Sequence, residues 1–170
     1  VAGDVDAYAD IIARYETKLL RYVVYLVHDT DMARDVVQET FIKAYQNLRG
    51  FNDKYKFSSW IYRIAHNEAM NAVKKMRHAT NDNIDELPET SYDAGLDNMV
   101  DNDMLKQRVR DCVRQLDQRY RDVVQLVYFE HMTYDDASDV LHVPPSTIGV
   151  WLLRAKKQLQ KLCREKGVER

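Results

Sequence analysis

From Val5 to Val27, apolar residues recur at Tyr8, Ile11, Ile12, Tyr15, Leu19, Leu20, Val23 and Leu26. Steps of three and four place them on one side of a helix. His28 to Thr30 reads as a turn, with Asp31 as the expected cap of the next helix. Ala33, Val37, Phe41 (or Thr40), Ala44 and Leu48 then share a face, and Arg49-Gly50 is expected to end that helix with glycine in the left-handed position. An aromatic and lysine-rich loop follows, and Ser58 or Ser59 is expected to cap a third helix running to about Arg77. On that helix Ile61, Ala65, Ala69, Ala72 and Met76 form the expected core face.

The pattern lapses over NDNIDELPETSYDAGLDNMVDN, residues 81–102, which shows neither helical nor strand periodicity. It resumes near Asp103, with Leu105, Val109, Cys112, Val113 and Leu116 on one helix. Val123, Val124, Leu126, Val127 and Phe129 mark a second helix over Arg119–Phe129. Thr133-Tyr134-Asp135-Asp136 resembles a capping box with Asp in place of the usual Glu or Gln, and opens a short helix to about Leu141. Pro144-Pro145 marks a new N-terminus, since proline is tolerated in a helix only at its first turn. The final helix, 146–163, carries Ile148, Leu152, Ala155, Leu159 and Leu162. The expected fold is therefore all-α, with two small helical domains, 1–78 and 103–170, joined by a linker over 79–102.

Composition supports this. The 170 residues include only 5 Gly and 3 Pro, too few turn residues for a β-sandwich or barrel. No apolar run reaches the ~18 residues of a membrane span, and no secretory signal pattern opens the sequence. Cys112 and Cys163 match no metal-binding spacing and are expected to be reduced thiols in a cytoplasmic protein. The net charge of −2 conceals three blocks: +2 over residues 1–80, −7 over 81–102 and +3 over 103–170. Two mildly basic domains flank an acidic tether whose extended reach is at most ~80 Å. A nucleic-acid face on either domain is thus hidden in the whole-chain charge.

Two constellations bear on function. Trp60, Arg63, Asn67, Asn71 and Lys74 fall on one stripe of the third helix, behind a loop holding Phe51, Tyr55 and Phe57 among Lys54 and Lys56. Aromatics stack on bases, amides bond base edges and cations meet phosphates. The same residues are equally compatible with a packed aromatic core beside a solvated polar stripe. The second constellation has helix-turn-helix proportions: a short helix 133–141, a turn, then a longer helix. In such a motif the second helix enters the major groove, offering Ser146, Thr147, Val150 and Arg154 to bases and Lys156 and Lys157 to phosphates. A packing hairpin has the same spacing. The five histidines are scattered and no glycine-rich phosphate loop exists, so neither an enzyme, a cofactor nor a metal site is expected.

Three segments carry a family resemblance: DMARDVVQETFIKAYQNLRGF (31–51), FSSWIYRIAHNEAMNAVKKMR (57–77) and LDQRYRDVVQLVYFEHMTYDDASDVLHVPPSTIGVWLLRAKKQL (116–159). Together they resemble extracytoplasmic-function sigma factors of bacterial RNA polymerase, over nearly all of residues 5–165. The most specific segments are Asp35 to Phe41 and Trp60 to Ala65.

The resemblance implies a transcription initiation factor that binds core RNA polymerase through its β and β′ subunits and directs it to promoter DNA. It implies polymerase docking by Asp35, Gln38, Glu39 and Ile42. It implies capture of the melted minus-10 strand by Phe51, Lys54, Tyr55, Lys56, Phe57, Trp60, Arg63, Asn67, Asn71, Lys74, Lys75 and Arg77. Minus-35 contact falls to Ser146, Thr147, Val150, Arg154, Lys156 and Lys157. An anti-sigma factor is an expected partner, and the acidic linker is similar to the segment that threads toward the polymerase active site. Two other readings share these residues: a helix-turn-helix regulator that does not dock on polymerase, and a sigma-like interaction protein that does not bind DNA. Gly149, Val150 and Trp151 replace polar or basic residues common in the family, and His142 stands where the turn usually has glycine. Gly149 is expected to mark a close backbone approach, since glycine weakens a helix interior by ~1 kcal/mol.

Overall fold

The computed structural model describes residues 5–80 and 103–165. It divides into two units, Val1–Ala94 and Gly95–Arg170. The unpatterned segment 81–102 lies outside the described residues.

The first unit is a bundle of α1 (Val5–Val27), α2 (Thr30–Asn47) and α3 (Phe57–Thr80), each packed on the other two. Leu19, Tyr22, Val23, Leu26 and Val27 of α1 meet Ala33, Val36, Val37, Phe41 and Ala44 of α2 and Ile61, Tyr62, Ala65, Ala69 and Val73 of α3. Four of these are alanines with no exposed surface, and their small side chains let the helix backbones approach closely. The apolar face of α1 is wider than the core it fills: Ile11, Ile12, Tyr15 and Leu20 stay half-buried. Ala72 and Met76 are also only half-buried, while Tyr62 and Val73 take core positions instead.

Helix boundaries differ from expectation in four places, each for a local reason. Asp29, not Asp31, caps α2: its backbone is extended and its carboxylate accepts from the Met32 amide at 2.8 Å. Asp31 sits in the first turn and pairs with Arg34 at 3.2 Å. Gly50 does not take the left-handed conformation. Instead α2 tightens into a 3₁₀ turn, Leu48–Gly50, whose N–H groups reach back three residues. Neither Ser58 nor Ser59 is the cap of α3: the helix begins at Phe57, with the Trp60 amide bonded to the Lys56 carbonyl at 3.2 Å. Its far end continues to Thr80, so residues 79 and 80 are helical rather than linker.

The second unit contains α4 (Asp103–Arg114), α5 (Gln118–Val124), α6 (Tyr134–Leu141) and α7 (Pro145–Glu165). What periodicity predicts as one helix to Phe129 changes winding at Gln125 and finishes as a π-helical turn, Gln125–Phe129. That turn leaves Tyr128 and Phe129 exposed. Cys112, Val113, Leu116, Tyr120, Val123, Leu126, Ala137, Val140, Ile148, Leu152 and Ala155 form the core, whereas Val109 is exposed. The capping box is present: Thr133 Oγ1 accepts from the Asp136 amide and Asp136 Oδ2 from the Thr133 amide. Aspartate thus closes the box despite its shorter arm. His142 ends α6 in the left-handed region at φ 54°, where glycine is the unstrained choice. Pro145 takes the first helical position of α7.

Candidate polymerase and nucleic-acid interfaces

The exposed ridge of α2 carries Asp35, Gln38, Glu39 and Ile42, one or two turns apart on one face. Ile42 is 43% exposed among polar neighbours. The ridge separates two grooves. Gln38 and Ile42 border an apolar one against α1, with Tyr8, Ile12, Leu20, Val37 and Phe41. Asp35 and Glu39 border the other against α3, with Met32, Glu68, Asn71, Lys75 and Met76. Lys75, assigned from sequence to a DNA phosphate, therefore sits on the groove shared with these carboxylates. The hydroxyl of Tyr8 donates to the Phe41 carbonyl at 2.5 Å, and burial pushes its pKa up.

At the other end of α3, Phe51, Phe57 and Trp60 pack on one another with ring centroids 5.1–5.6 Å apart. Tyr15 packs tilted against Phe57 at 5.6 Å. All three rings of the cluster are half-buried, so each is held by packing yet keeps a solvent-facing part. Trp60 packs in this cluster and also lines a cleft with Lys43, Asn47, Gly50, Arg63, Ile64, Asn67 and Glu68. Arg63 is half-buried; Asn67, Asn71, Lys74 and Arg77 are exposed. In the loop Tyr55 is 56% exposed and Lys54 and Lys56 are exposed. A half-buried aromatic floor with amides and cations at its rim has the chemistry to stack and bond an unpaired base.

In the second unit the turn between α6 and α7 gives helix-turn-helix geometry, with Ala137 and Ile148 fully buried beneath it. Ser146, Val150, Arg154, Lys156 and Lys157 are exposed and Thr147 is half-buried. Gly149 meets no backbone other than its own helix; an added Cβ would lie 3.6 Å from the Tyr134 ring, an ordinary contact. No close approach among the described residues explains this glycine. Trp151 is half-buried. Sequence reasoning passed over Leu153, 57% exposed, and Tyr134, 47% exposed, both beside the α7 stripe. An apolar residue in a helix pattern reads as core until the packing partner is known.

Matches to known proteins follow the same division. Residues 11–79 match the family model Sigma-70 region 2, and residues 106–159 match Sigma-70, region 4. The chain is 31% identical to the RNA polymerase sigma-H factor of Pseudomonas aeruginosa, over 96% of this chain and 91% of that protein. It is 27% identical to the ECF RNA polymerase sigma factor SigW of Bacillus subtilis, over 96% and 92%. The chain belongs to the extracytoplasmic-function sigma factors.

Among solved structures, this sigma factor shares its fold with RpoE bound to the anti-sigma factor NepR from Bartonella quintana. The TM-score is 0.77 at 20% identity, over 94% of this chain and 98% of that one. It also resembles CnrH in complex with the cytosolic domain of CnrY, at TM-score 0.70 and 22% identity, over 96% and 91%. The region 2 match takes in the α2 ridge and the Trp60 cleft; the region 4 match takes in the helix-turn-helix. Among the described residues, no group of three His, Cys, Asp or Glu could hold a metal ion. No helix there is long and apolar enough to cross a membrane.

Besides Tyr8, two ionisable groups among the described residues depart from ordinary behaviour. Lys43 is held protonated by its bond to Glu68, which raises its pKa. Asp122, on α5, is 6% exposed, and burial raises its carboxyl to about 6. A charged residue in an amphipathic pattern reads as solvated, so neither was visible in the sequence.

Proposed function

We propose that this protein is a cytoplasmic transcription initiation factor that binds core RNA polymerase and supplies promoter recognition, without catalysis of its own. Residues 1–80 form the docking and minus-10 domain, 81–102 the acidic linker and 103–170 the minus-35 domain. The α2 ridge of Asp35, Gln38, Glu39 and Ile42 docks on the β′ subunit. Phe51, Phe57 and Trp60 give the stacking floor for the melted minus-10 strand, with Arg63, Asn67 and Asn71 at base edges and Lys54, Lys56, Lys74 and Arg77 on phosphates. Helix α7 contacts the minus-35 duplex through Ser146, Thr147, Val150, Arg154, Lys156 and Lys157. An anti-sigma factor covers these surfaces when the protein is silent; RpoE, similar in fold, is bound to such a partner.

The observation that carries this reading is the half-buried aromatic cluster whose Trp60 also lines a cleft with Arg63 and Asn67. A duplex presents no free base faces to such a floor, whereas a melted strand does. The test is promoter opening by polymerase reconstituted with Trp60→Ala. Stacking is worth ~1–3 kcal/mol per base, so opening should fall about five- to 150-fold while co-elution with core polymerase persists. Unchanged opening by a variant that still folds would exclude Trp60 from strand capture.

A further inference from the structure

The Lys43 ammonium stands between two carboxylates. It lies 2.7 Å from Glu68 Oε2 on α3 and 3.6 Å from Glu39 Oε1, one turn back on α2. The Glu68 side chain is 17% exposed and that of Lys43 39%. Lys43 and Glu68 both wall the Trp60–Asn67 cleft. Glu68 and Glu39 also wall the groove on the docking side. This bridge of three charges is therefore the partition between the two sites, and it ties the last turns of α2 to the middle of α3.

A lysine in a strand-binding cleft would ordinarily be read as a phosphate ligand. Two features argue otherwise. The Glu68 bond fixes the ammonium in place, and two carboxylates facing one cation leave the partition with a net negative charge, which repels a phosphate. A tethered cation also releases no DNA counterion, because its counterion is part of the protein.

We infer that Lys43 and Glu68 are positioning residues for strand capture: the pair holds the cleft wall beside Trp60 and Asn67 and does not itself bind the strand. This rests on the minus-10 reading of that cleft. The experiment uses the full chain with core polymerase, on a promoter carrying 2-aminopurine in the minus-10 non-template strand. Opening is measured across a salt series and melting temperature is measured in parallel. Lys43→Met and Glu68→Ala should each lower opening roughly fivefold, and the double variant should be no worse than either single one. Lys43→Arg should restore opening, and the slope of log opening against log salt should stay unchanged throughout.

The opposing account predicts the reverse sign for one variant. Were Lys43 a phosphate ligand masked by Glu68, Glu68→Ala would strengthen opening and Lys43→Met would reduce the salt slope by about one. Either result overturns the inference. So does full opening by Lys43→Met when Asn67→Ala is impaired, an outcome that leaves the minus-10 reading standing. Full opening by both variants overturns the minus-10 reading of the cleft and this inference with it.

Discussion

Replacing Asp122 by Asn should stabilise the C-terminal unit at neutral pH and flatten its response to acid. Asp122 is 6% exposed on α5, where Gln118 Nε2 donates to its Oδ1 at 2.6 Å. Burial raises its carboxyl from an ordinary 3.8 to about 6, against the opposing pull of the Gln118 bond and the Arg121 charge. Between those two values the folded unit keeps a proton that the unfolded chain has released. Stability from this group is therefore greatest below pH 3.8, falls as pH rises through the window, and carries its full penalty above about 6. A gap of 3.8 to about 6, at ~1.4 kcal/mol per unit, makes that penalty about 3 kcal/mol. Asparagine keeps the acceptor oxygen for Gln118 but adds a buried donor, so the gain at pH 7.5 should be roughly 1–3 kcal/mol. The chain has two tryptophans, Trp60 in the first unit and Trp151 in the second. Urea denaturation followed by fluorine NMR of 5-fluorotryptophan protein thus reads each unit separately. The Trp151 transition of the wild type should lose stability relative to Asp122→Asn between pH 4 and 6, while the Trp60 transitions coincide. Parallel Trp151 curves across that range, or a variant less stable at pH 7.5, would refute the reasoning.

Asp35→Lys with Glu39→Lys should weaken binding to core polymerase without loss of helix, because both side chains are exposed on the α2 ridge; gel filtration and circular dichroism check this. Gly149→Ala should stabilise the second unit by about 1 kcal/mol, since its Cβ would only touch the Tyr134 ring and alanine is the better helix former. If that variant also binds minus-35 duplex less tightly in a gel-shift titration, the glycine serves close approach to DNA rather than packing. His142→Gly should raise the thermal midpoint of the second unit, by roughly 0.5–1 kcal/mol of stability, by relieving a left-handed residue; an unchanged or lower midpoint would show that the His142 backbone carries no strain.

Periodicity along the chain determined the helices, their order and the division into two helical blocks. Each long helix buries one face and solvates the other, so its apolar spacing is written locally. The helix-turn-helix was equally legible, because Thr133, Asp136 and Pro145 act within one turn of the backbone they stop or start. Boundaries were less so: Asp29 and Asp31 are both competent caps, and only the path of the preceding turn chose between them. Packing between helices decided the rest. It exposed Leu153 and Tyr134, buried Asp122, and gave Trp60 two neighbours and one open side. It brought Lys43 to Glu68 across twenty-five residues of sequence. A residue's own helix dictates which face it occupies; what that face meets depends on a second helix whose position no local pattern encodes.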